Sequence, residues 1–152
     1  MNKEQYDVLK DRLNHLKGTP TDSAVLNFDK LGRITDKLYS FSPNCEECRL
    51  YLKEVDSHLR YLNEHMNEWS KEDIEKSKNI ESESFRHLQK VHKIITNGTY
   101  LATFMSIGMS LGIAFGIAIF DNIALGLPMG LSIGLAIGAG LDADAKKKGL
   151  TL

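Results

Sequence analysis

Hydrophobic positions in the first 98 residues recur at helical spacing and show no two-residue alternation. Tyr6, Leu9, Leu13 and Leu16 step by three, four and three, the repeat of one helix face. Lys17-Gly18-Thr19-Pro20 supplies a stop signal. A second helix is expected over 22–39, with Ala24, Phe28, Leu31 and Leu38 on one stripe and Ile34 beside it. The loop at 40–44, Ser-Phe-Ser-Pro-Asn, ends it, and a third helix begins near Pro43. There Cys45, Cys48, Leu52, Val55, Leu59, Leu62, Met66 and Trp69 step by three and four without a fault. That is an a/d seam of more than three heptads, which closes within the chain or pairs with a neighbour. Ser70, with Asp73 three residues on, reads as the cap of a fourth helix carrying Ile74, Ile80, Phe85, Leu88 and Ile95. Asn97-Gly98-Thr99 breaks it.

Beyond residue 98 the chain changes character. Residues 1–98 hold 16 of the 19 Lys/Arg and 17 of the 20 Asp/Glu, whereas 100–120 and 123–141 hold none. As helices these two runs are about 31 and 28 Å long, matching a hydrocarbon core of about 30 Å. Only Asp121 and Asn122, two turn formers, lie between them. The expected fold is all-α: a cytosolic helical bundle or set of coiled hairpins (1–98), a two-span transmembrane hairpin (99–142) and a cytosolic basic tail (143–152). The opening ten residues have no apolar run, so no signal peptide is expected. Arg86, Lys90 and Lys93 precede the first span and Lys146, Lys147 and Lys148 follow the second. The positive-inside rule then places both termini in the cytoplasm. Asp142–Lys146 and Asp144–Lys148 are i,i+4 pairs that would carry the second helix into water.

The glycines repeat in fixed register. Gly108, Gly112 and Gly116 in the first span, and Gly126, Gly130, Gly134 and Gly138 in the second, each recur every four residues. Such rows let two backbones approach closely. A second small stripe runs largely opposite: Ala102, Ser106, Ser110, Ala114 and Ala118 in the first span, and Ser132, Ala136 and Gly140 in the second. A hairpin uses one face of each helix internally, so the remaining faces predict a homo-oligomer. Pro128 removes a hydrogen bond to Ala124 and predicts a kink or a delayed regular start in the second span. With no ionisable side chain within the spans, a pump is disfavoured and a passive pore remains open.

Near-zero net charge without a basic block argues against nucleic acid as a partner. Two cysteines cannot staple a secreted scaffold. Cys45-Glu46-Glu47-Cys48 is a CxxC, read as two buried thiols on the seam, as part of a zinc site, or as a redox pair without the usual βαβ context. His58 and His65 lie too far along the same helix to complete a four-ligand site with it in one chain. Two chains could instead share a four-thiolate site. His87 and His92 are about 140° apart on a helical wheel and read as poor co-ligands; His15 stands alone. Glu54/His58 and Glu83/His87 read as surface i,i+4 pairs. There is no di-iron Glu-x-x-His pair, nucleotide loop or zinc-protease motif. No catalytic or cofactor-binding residue and no resident cofactor is expected, and the protein is not expected to be an enzyme.

The stretch from Thr103 to Lys148, with its paired glycine rows, Asp-Asn turn and Asp-Ala-Asp-Ala-Lys-Lys-Lys exit, resembles the C-terminal region of small uncharacterised bacterial membrane proteins with glycine zippers. The resemblance implies a hairpin in the bacterial cytoplasmic membrane, in contact with lipid. The expected role is an oligomeric, membrane-anchored scaffold, adaptor or sensor with a cytosolic protein partner. A pore, a membrane-disrupting effector and a toxin-immunity protein are the alternatives.

Overall fold

Among the described residues, four helices follow the predicted seams in the N-terminal part: α1 (Lys3–Lys17), α2 (Phe28–Phe41), α3 (Glu46–Glu64) and α4 (Lys71–His92). The computed structural model describes residues 1–17, 26–66 and 68–152. The stop at Gly18-Thr19-Pro20 and the stripe residue Ala24 lie outside the described residues. The described chain divides into two compact units, Met1–Lys93 with Leu152, and Ile94–Thr151.

In the first unit α2 and α3 form the central pair, and each packs against both α1 and α4. Leu9, Leu13 and Leu16 of α1 meet Phe28 and Leu31 of α2, Val55, Leu59 and Leu62 of α3, and Ile80 of α4 in one core. Fully burying each leucine contributes about 1.5–3 kcal/mol. The α3 seam thus closes inside the chain. It is also shorter than its heptad pattern. His65 ends the helix, with its amide bonded to the Tyr61 carbonyl, and Met66 and Trp69 lie beyond it. Trp69 turns back on the core, donating from Nε1 to the Leu62 carbonyl at 2.9 Å and meeting Phe28 edge-on.

Local capping explains the helix starts. Leu26 and Asn27 are not helical; the Asn27 side chain accepts from the Lys30 amide, so the regular helix begins at Phe28. Ser70 and Asp73 form the expected capping box at α4. That helix stops at His92, with Lys93 in the left-handed region (φ 56°), which leaves Ile95 outside it. Ion pairs Lys10–Asp36 (2.6 Å), Lys30–Glu81 (2.7 Å) and Arg12–Asp56 join neighbouring helices. They fix register more than they add stability.

The second unit is a hairpin of α5 (Thr99–Phe120) and α6 (Ile123–Lys147). Both helices are long and apolar enough to cross a membrane. Asp121 turns the chain with φ 48°, and the Asn122 side chain caps α6 through the Ala124 amide at 2.9 Å. Regular helix begins at Ile123 and runs through Pro128, so Pro128 does not delay its start. The described residues contain no strand; a single isolated bridge pairs Ile95 with Thr151.

Candidate functional site

The seven zipper glycines are buried against the main chain of the opposite helix, while most large apolar side chains of both spans are exposed. The contact is backbone on backbone. A β-carbon at Gly112 would lie 2.6 Å from the Gly126 carbonyl oxygen, and one at Gly138 would lie 2.7 Å from the Leu101 α-carbon. One at Gly108, Gly126, Gly130 or Gly134 would overlap opposing main chain more severely. Even alanine therefore does not fit at these six positions; only Gly116, where a β-carbon would lie 3.1 Å from the Asn122 carbonyl oxygen, leaves room for it with a small adjustment. The second stripe lies elsewhere. Ser106, Ser110, Ser132 and Ala136 are exposed, and Gly140 has open space where a β-carbon would sit. The three hydroxyls donate to carbonyls four residues back, at 2.7–2.9 Å, so these faces present no unpaired polar group.

The open end of the hairpin is fastened twice. Gly98 starts α5 with no side-chain cap. Asp142 of α6 supplies it, one carboxylate oxygen accepting from the Tyr100 amide and the other from the Leu101 amide, each at 3.1 Å. An acidic group at a helix N-terminus satisfies orphan amides and complements the dipole. Asp142 is thus bonded to the α5 amides, not to Lys146; the second expected pair, Asp144–Lys148, is present at 2.6 Å. The Ile95 amide donates to the Leu150 carbonyl at 2.8 Å, so the residues after the second span fold back beside those before the first.

A different chemistry gathers in the first unit. Cys45 is the N-cap of α3; its sulphur accepts from the Cys48 amide at 3.4 Å. Cys48 is buried one turn in. The antiparallel α4 brings His87 and His92 from its last turns to the same point. His87 Nε2 lies 3.4 Å from both sulphurs, and His92 Nε2 lies 3.3 Å from Cys48 Sγ. All four ligand atoms fall within 4.8 Å of one another. Glu47, between the cysteines, holds His87 Nδ1 at 2.8 Å. Phe41 stacks on His92 with centroids 4.0 Å apart, and Tyr51 leans over His87.

Burial, then the neighbouring Cys45 thiol, pushes the Cys48 thiol up to about 12. A thiol so raised is protonated at neutral pH and a poor redox nucleophile. Burial, with His87 nearby, lowers His92.

The wheel argument against His87 and His92 is overturned here. The ligands need not share a face, because His92 is the last residue of its helix and its Nε2 meets the same Cys48 sulphur as that of His87. The missed signal was spacing: His87-x4-His92 falls in the range used by Cys2His2 zinc sites. The other histidines do not join. His58 is buried, with Nε2 2.7 Å from Ser77 Oγ; burial, then Lys76, lowers it. His65 bonds the Tyr61 carbonyl and His15 bonds Asn63. The surface pairs expected for Glu54/His58 and Glu83/His87 are replaced by these contacts, and Glu83 pairs with Arg86.

Residues 96–144 match a family described as glycine zipper membrane protein, less than half of the chain. No curated protein and no solved structure matches it. The matched segment and the two apolar helices make this a membrane protein with a glycine-zipper hairpin.

Proposed function

We propose that this membrane protein assembles as a homo-oligomer in the bacterial cytoplasmic membrane, both termini in the cytoplasm, with its N-terminal helical unit serving as a scaffold, adaptor or sensor for a cytosolic protein partner. One observation carries the reading. The glycine rows are consumed inside a single hairpin, while Ser106, Ser110, Ser132 and Ala136 remain exposed on its outer faces. Small residues on a membrane helix permit close approach of a further helix. The lysines and arginines flanking both spans support the orientation. The seam leaves no passage between the two helices of one copy, so the reading assigns the hairpin to anchoring and assembly. It assigns no catalytic step to the chain.

The test is the size of the detergent-solubilised protein by mass photometry and crosslinking. Ser110→Leu and Ala136→Leu are expected to lower the oligomer number while protease resistance of the hairpin stays intact. Unchanged oligomers in both variants, or a monomeric parent, would overturn the reading.

A further inference from the structure

We propose that Cys45, Cys48, His87 and His92 form a closed, tetrahedral zinc site that fastens the N-terminus of α3 to the C-terminus of α4. The inference stands on the first unit alone and does not depend on the oligomer reading. Zinc–sulphur bonds of about 2.3 Å and zinc–nitrogen bonds of about 2.0–2.1 Å at tetrahedral angles place sulphur and nitrogen about 3.6 Å apart. Three of the four sulphur–nitrogen separations are 3.3–3.4 Å, and all four ligand atoms lie within 4.8 Å of one another. Four soft and borderline donors converging on one point is the donor set zinc takes in structural sites.

Hydrogen bonding alone accounts poorly for the geometry. The single donor or lone pair on His87 Nε2 makes one good bond, yet two sulphurs stand equally close to it. A cation at the centre gives every donor a partner at once. The surroundings fit as well. Glu47 accepts from His87 Nδ1, which leaves Nε2 free to ligate; a carboxylate on the far nitrogen of a ligating histidine is the usual outer support of a zinc site. The Cys48 amide points at Cys45 Sγ, and Cys45 caps the helix whose first turn carries Cys48. Two thiolates would neutralise the ion. With four protein ligands no position remains for water, so the site is structural and not hydrolytic.

The ligands lie 42 residues apart in sequence between Cys45 and His87, so the ion would close most of the α3–α4 hairpin. Metal binding of this kind is folding free energy.

The full chain, purified in detergent under reducing conditions from zinc-supplemented medium, is expected to carry about one zinc per chain by elemental analysis. Cobalt exchanged into it should show the visible bands of a tetrahedral ion and thiolate charge transfer. Cys45→Ser with Cys48→Ser should lose the metal. Because that variant can also unfold, Glu47→Gln, which keeps all four ligands, is the second arm. Chelator competition should show its zinc affinity lowered about tenfold or more. Stoichiometric metal near zero, zinc retained by the double serine variant, octahedral cobalt without thiolate charge transfer, or unchanged affinity in Glu47→Gln would each overturn the assignment.

Discussion

The sharpest test of the hairpin compares two glycine-to-alanine changes on the same kind of helix. At Gly112 the added methyl carbon would stand 2.6 Å from the Gly126 carbonyl oxygen, against an ordinary contact distance of 3.4–4 Å. Neither atom can rotate away, because both belong to backbone, so the helices must part by about 0.8 Å at that turn. A gap of that size forfeits roughly a third of the dispersion well. If one turn of the seam makes about 40 close atom pairs, as a buried leucine does, at about 0.15 kcal/mol each, the loss is about 2 kcal/mol. Lost Cα–H···O contacts add about 0.5–1 kcal/mol each. At Gly140 nothing lies within 4 Å, and alanine should be neutral or stabilising by up to about 1 kcal/mol through helix propensity. Reversible unfolding of the hairpin in mixed micelles, followed by energy transfer between dyes at its two ends, reads the difference directly. Equal stability of Gly112→Ala and Gly140→Ala would refute backbone contact as the source of hairpin stability.

The same assay should show Asp142→Ala destabilised by about 1–2 kcal/mol, since two amides at the start of α5 lose their acceptor; Asp142→Asn should fall between, and an unchanged alanine variant would sink the cross-helix cap. His58 has its proton affinity lowered by burial, so the unfolded chain binds more protons and stability rises with pH. Its contribution is complete above the ordinary value of 6.5 and falls away as pH drops below it, with a slope of at most about 1.4 kcal/mol per pH unit. The wild-type thermal melt should therefore lose more on acidification than that of His58→Leu, and parallel curves would count against the assignment.

The hairpin was legible because membrane packing writes itself in register: a four-residue glycine repeat in both spans identifies the contact face without any knowledge of the turn. The Asp142 cap was not legible. Locally the aspartate has a lysine four residues on, and only the antiparallel pairing of the spans brings it to residues 100 and 101. The thiol–imidazole cluster was half legible. CxxC was visible, but its partners lie on another helix, and a wheel drawn for the middle of a helix misjudges residues at its end. The α3 seam was over-read for a related reason: Met66 and Trp69 keep the heptad spacing while packing from a non-helical segment, since the core requires their apolar surface and not their backbone conformation.

The carboxylate that completes the start of the first span belongs to a residue made 41 positions after the later of the two amides it receives. At a synthesis rate of about 5–20 residues per second, this interval is about 2–8 s. Through that time the first span enters the membrane with Tyr100 and Leu101 amides still dependent on water or lipid headgroups. The fastening of the hairpin is therefore an event of late biogenesis: the second span has to be threaded before the first can be finished.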